Sequence, residues 1–204
     1  MKQKYIEDIN EIKDIMHRST RFISLSGLSG VSTGIAALAG SYIAYQTIFK
    51  DQDYLTYNAV EINNESIVYL LLIAIATIIL SISTAIFFTS RKTKKQKQNV
   101  WDHQTKRLLI NLSIPLITGG LLSLMLLFKG FVGLVLPLTL IFYGLALVNG
   151  SKYTLNEIRN LGIIEILLGL IAFQFIDFGL LFWAFGFGVI QIIYGLIIQR
   201  NHKL

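Results

Sequence analysis

Residues 68–88 read VYLLLIAIATIILSISTAIFF, twenty-one residues without a charge. A helix needs roughly 20 apolar residues to cross a hydrocarbon layer about 30 Å thick. Working outward from this run, residues 108–128, 131–148 and 178–198 are also free of charge. Apolar residues make up 53% of the 204, charged residues only 15%, and the charges are collected in a few blocks between the runs. That segregation predicts an all-α fold, a polytopic transmembrane helical bundle. Six spans are expected, over 22–49, 66–88, 108–128, 131–148, 161–176 and 178–198.

Lysine and arginine placement tests the count. The segment before the first span carries Lys2, Lys4, Lys13, Arg18 and Arg21, and the junction after the second carries seven more between Arg91 and Arg107. Lys152 and Arg159 follow the fourth span, and Arg200 and Lys203 follow the sixth. Sixteen of the eighteen basic residues thus fall on one side, leaving Lys50 and Lys129 on the other. Cytoplasmic loops carry the basic excess, so both termini are expected in the cytoplasm of a bacterial inner membrane protein. The first twenty residues are charged throughout and lack the apolar centre of a cleavable signal peptide. The loop with Asp51, Asp53, Glu61 and Glu65 is then extracytoplasmic. The run RKTKKQK (91–97) has the composition of a nucleic-acid patch, but beside two spans it reads as a loop held at anionic headgroups. The expected partners are the lipid bilayer and either a second copy or another membrane protein; no nucleic acid is expected.

The chain divides accordingly. Over 1–21, Ile6, Ile9, Ile12 and Met16 recur at helical spacing between charges, which predicts a cytoplasmic amphipathic helix. It can cover the protein's own cytoplasmic face, lie on the membrane or pair with a partner helix. The first hairpin occupies 22–90, the basic loop 91–107, and two further hairpins 108–150 and 151–204. These two share a pattern. Asn111, Leu112, Gly120 and Gly130 match Asn160, Leu161, Gly169 and Gly179 at a separation of 49 residues, and Tyr143-Gly144 matches Tyr194-Gly195 after a two-residue slip. A tandem duplication is expected, with short turns at Lys129-Gly130 and at Asp177 with Gly179. Asn149-Gly150 is expected to end the fourth span through a left-handed glycine. Thr154 with Glu157 fits a capping box that starts the fifth helix near Leu155.

The stretches GLLSL (120–124) with GLVLPLTLIFYGLALVNG (133–150), and LGIIEILLGLIA (161–172) with WAFGFGVIQIIYGLI (183–197), resemble bacterial six-span membrane proteins that have no established activity. More loosely, they resemble the hairpin repeats of HdeD-type acid-resistance membrane proteins. The first resemblance implies a membrane location alone. The second implies a stress-linked membrane role and brings no catalytic residue across.

Site chemistry is sparse. SLSGLSGVSTG (24–34) has the glycines of a phosphate loop but not its lysine. His17, His103 and His202 fall in separate segments with no second ligand at helical spacing, no serine sits in a G-x-S-x-G elbow, and there is no cysteine. No catalytic residue, cofactor or metal is expected. On a helix, Ser26, Gly30, Gly34, Ala37, Ser41 and Ala44 instead form one smooth face, flanked by Thr33 and Gly40 and opposed by Leu28, Val31, Ile35, Leu38 and Tyr42. Small residues let helix backbones approach closely in lipid, so this is an expected packing face. Its partner is the second span, the later hairpins or another copy.

Glu165 is the one carboxylate inside an apolar run (GIIEILLG, 162–169). A charge deep in the bilayer costs on the order of 3 kcal/mol or more. One reading makes Glu165 an intramembrane proton or cation site, with Gln174 and Gln191 the other large polar groups of the last hairpin. The other puts it one turn inside the cytoplasmic boundary, reaching headgroup water or pairing with Arg159 or Lys152. Pro115 and Pro137 lie inside apolar helices, where they mark either a broken helix at a site or the shape of the packing. Two functions follow. The leading one is a non-enzymatic accessory, scaffold or regulatory subunit that works through helix packing and partner contacts. The alternative is a small transporter or channel that uses Glu165.

Overall fold

The computed structural model describes residues 26–50, 55, 57–59, 61–95 and 103–201. The helix expected over 1–21 and the centre of the basic loop lie outside them. Most of the described residues are helical, with no strand among them. Helix α1 runs Gly27–Phe49, α2 Asn64–Lys95, α3 His103–Phe128, α4 Val132–Gly150, α5 Asn156–Gln174 and α6 Ile176–Asn201. Helices close every backbone hydrogen bond within the segment, which a lipid interior demands. Five of the six, all but α5, are long and apolar enough to cross a membrane. α5 carries Glu157, Arg159 and Glu165 within nineteen residues. Its rise of about 28 Å still approaches the thickness of the hydrocarbon layer.

α1 packs between α2 and α6, α4 packs between α3 and α5, and α6 joins the two groups by touching α1, α4 and α5. α2 and α3 lie outermost. Ile75, Ile79, Ile82 and Ile86 on α2, and Ile114, Ile117, Met125 and Phe128 on α3, are all more than half exposed. A contiguous apolar exterior of this extent belongs against lipid rather than water.

The hairpin turns differ from one another. At the end of α3, Gly130 takes φ 83°. Its N–H donates to the Leu127 carbonyl and that of Phe131 to the Leu126 carbonyl, the pairing of a Schellman cap. A residue with a Cβ is strained there. Its sequence match Gly179 is helical, φ −52°, and the second turn is a 3-10 turn over Ile176–Phe178. Two expectations near the fourth helix are corrected. Gly150 is not a left-handed cap: its φ is −68° and the chain continues as a 3-10 turn, Ser151–Tyr153. What Gly150 supplies is room, because a Cβ there would sit 2.9–3.1 Å from Leu112 and Leu108 of α3. The N-cap of α5 is Leu155 rather than Thr154, so the expected capping box is out of register by one residue.

Candidate functional site

The small-residue face of α1 lies mainly on α6. A Cβ on Gly27 would fall 2.3 Å from the Gly195 carbonyl oxygen, one on Gly30 3.0 Å from Gly195 Cα, and one on Gly34 2.8 Å from the Gly188 carbonyl oxygen. Gly40 faces α2 instead, against Thr77. Ser26, Gly34, Ala37, Ser41 and Ala44 are buried, whereas Leu28, Ile35 and Tyr42 are exposed. The hydroxyls bond back to their own helix: Ser29 Oγ donates to the Ser26 carbonyl at 2.5 Å, Ser32 Oγ to Ser29 at 3.0 Å and Thr33 Oγ1 to Gly30 at 2.9 Å. The partner is therefore the last helix of the same chain.

A second close seam joins α4 to α5. A Cβ on Gly144 would lie 2.5 Å from the Gly162 carbonyl oxygen, and one on Gly169 2.9 Å from that of Pro137. Gly162, Glu165 and Gly169 share one face of α5 at helical spacing. Glu165 is thereby carried into the junction of α4, α5 and α6. It is fully buried, at 0% exposure, and neither carboxyl oxygen has a hydrogen-bond partner among the described residues. It is also the central residue of α5, about 14 Å along the axis from the helix start. The helix begins at Asn156, next to the start expected near Leu155. Arg159 and Lys152 are exposed and do not pair with it.

The walls of the site are mostly aliphatic. A Cβ on Gly186 of α6 would fall 2.5 Å from Glu165 Oε2, 2.7 Å from Leu140 and 2.9 Å from Leu168. Only a glycine leaves room for the carboxyl. Gly186 lies in a π-helical stretch, Ala184–Ile190, which interrupts the regular ladder of α6 beside Glu165. Such wide turns recur at functional sites. From α4, Tyr143 packs against Phe187, the neighbour of Gly186. Its hydroxyl donates to Gln191 Oε1 at 3.3 Å, and Gln191 Nε2 donates to Thr33 Oγ1 at 3.5 Å. The Phe187 ring packs 4.8 Å from those of Tyr143 and Trp183, and Trp183 Nε1 donates to Thr139 Oγ1 at 3.1 Å.

Of the three polar residues singled out in the sequence, Gln191 hydrogen-bonds Tyr143 and Thr33, and neither it nor Gln174 hydrogen-bonds Glu165. Gln174 is exposed at the C-terminal end of α5, where its carbonyl accepts a hydrogen bond from the Tyr57 hydroxyl at 3.3 Å. Tyr143, Thr33 and Gly186 were not identified from sequence as site residues. The available signal was the dipeptide Tyr143-Gly144, whose glycine sits at the crossing that brings the tyrosine alongside α5. His17 and His202 lie outside the described residues. No protein-family model matches the chain, and no curated protein or solved structure matches it.

Proposed function

We propose that this chain is a small multi-pass protein of the bacterial inner membrane that moves protons or cations across the bilayer, with Glu165 as the exchange group. The observation that carries the reading is the fully buried, unpartnered carboxyl at the centre of α5. A protein that served by packing alone gains nothing from such a group, because an apolar side chain fills the space without the cost of desolvating a carboxyl. Ionisable groups at this depth are by default functional. In this reading α5 is also a span, the fifth of six, both termini are cytoplasmic, and α3–α4 and α5–α6 are tandem copies of one hairpin. Gly144 and Gly195, the matched glycines of the two copies, each lie at a tight backbone crossing, on α5 and on α1 respectively. Parallel repeats are one known plan for transporters.

The test uses purified protein in sealed liposomes under an imposed gradient of protons, Na+ or K+. Flux of one of these ions is expected, and Glu165→Gln abolishes it. A scaffold or regulatory subunit is the second reading, favoured by the two glycine-lined seams. Absence of Glu165-dependent flux together with stoichiometric co-purification of a membrane partner would establish it instead.

A further inference from the structure

We propose that the extracytoplasmic end of the bundle binds a small organic ammonium group, in the cleft between the α1–α2 loop and the α5–α6 turn. The inference does not depend on the exchange reading of Glu165. The loop after α1 is tied to the far side of the bundle. Its Tyr57 hydroxyl donates to the carbonyls of Phe173 and Gln174, in the last turn of α5. The Tyr57 ring meets that of Phe173 edge to face, with centroids 6.4 Å apart. These contacts hold the loop beside the turn Ile176–Phe178, and a cleft of about 330 Å³ lies between them. That volume falls at the small end of ligand sites, which run from about 300 to 1,000 Å³.

Three aromatic rings and one carboxylate line the cleft: Tyr57, Phe175, Phe178 and Asp177. Asn58 and Gln174 complete the polar part of its wall. Lys, Arg and His are absent from the described residues that line it. Two further sources make this region negative. α5 ends here, and a helix C-terminus carries a partial negative charge of about half a unit. The loop also bears Asp51, Asp53, Glu61 and Glu65, a field that draws cations towards it. Anions are therefore disfavoured. A hard metal ion is not matched either, because it needs several oxygen ligands, and among the described residues no group of three His, Asp or Glu gathers. A single carboxylate among aromatic rings suits an ammonium group instead. Asp177 supplies the countercharge, and ring faces attract the cation, as in the aromatic cages that bind quaternary ammonium ligands. Tyr57, Phe175 and Phe178 are each half exposed or more, so their rings are accessible to such a ligand. The group can belong to a soluble amine or to a phosphatidylethanolamine headgroup.

The experiment titrates the full chain in detergent, by calorimetry at low ionic strength, with choline, with ethanolamine and with the uncharged carbon isostere of choline. One-site binding of choline or ethanolamine is expected, and none of the isostere. Asp177→Asn weakens it by about fivefold. Phe178→Leu, which stays apolar but loses the ring, weakens it by about two- to fivefold. Glu165→Gln binds as the native protein does, which separates this site from the exchange reading. Nanodiscs distinguish the source. If the soluble ions do not bind, but phosphatidylethanolamine raises the melting temperature over phosphatidylglycerol and Asp177→Asn removes that difference, the ammonium recognised is the lipid's. Binding that the isostere shares, or that Asp177→Asn leaves at native strength, overturns the proposal. So does the absence of both soluble binding and the lipid difference, which leaves the rings as an aromatic belt at the membrane interface. Asp177→Asn is a near-isosteric change at an exposed position, so the test stands even where Phe178→Leu fails to fold.

Discussion

Gly34→Ala tests the α1–α6 seam with the smallest possible perturbation. The added Cβ would lie 2.6 Å from Ile192 Cγ1, 2.8 Å from the Gly188 carbonyl oxygen and 3.2 Å from the Ile192 backbone nitrogen. The Ile192 side chain can turn away, but the two backbone atoms belong to α6 and cannot. Ordinary contact needs about 3.4 Å or more, so the helices must part by roughly half an ångström along a seam that also holds Gly27 and Gly30. Overpacking of this kind costs about 1–3 kcal/mol, or a drop in melting temperature of roughly 2–4 °C per kcal/mol for a chain of this size. Gly120→Ala is the matched control. A Cβ there meets nothing within 4 Å, and alanine is favoured over glycine in a helix by up to about 1 kcal/mol. Thermal melting and gel filtration in detergent read both variants. Gly34→Ala is expected to melt lower at unchanged oligomer size, since its partner is within the chain, and Gly34→Leu to fall further or fail to assemble. A Gly34→Ala protein that melts with the native one, or one that changes only its oligomer size, refutes the packing assigned to this face.

Further outcomes follow from the same structure. Glu165→Met removes an unpartnered polar group from a close-packed site, so its melting temperature is expected to equal or exceed the native value while ion flux is lost; a marked drop would show that the carboxyl holds the bundle together. The two turns should respond differently to alanine. Gly130→Ala costs about 1–2 kcal/mol because its φ is 83°, whereas Gly179→Ala is close to neutral, its nearest contact being 3.6 Å away; equal melting shifts would contradict the turn geometry. Because the chain has no cysteine, single replacements report orientation cleanly. Glu61→Cys is expected to react with an impermeant maleimide from outside intact cells and Lys152→Cys only after lysis, and the reverse pattern would invert the topology.

How far residues alone carry the reading depends on whether the property is local. The charge-free run at 68–88 and its counterparts determine helices, because in lipid a backbone must satisfy itself and an apolar run of that length has one way to do so. The smooth face of α1 is likewise legible, since helical periodicity alone collects Gly30, Gly34 and Ser41 on one side. Which helix that face meets is not local. Span two, the later hairpins and a second copy all present small residues, and only the assembled bundle sets Gly34 against Gly188 of α6. Glu165 shows the same divide. Its rarity inside an apolar run is visible in the sequence, and so is the start of its helix, expected near Leu155 and found at Asn156. Its surroundings are further out of reach. Gly186 and Leu140, which line the carboxyl, come from two other helices, and Tyr143, Gln191 and Thr33 hydrogen-bond one another from three, where the glycine crossings at Gly144 and Gly195 hold α4 on α5 and α6 on α1. Contacts between distant segments are decided by shape at those crossings, and shape of that kind has no period for a sequence to display.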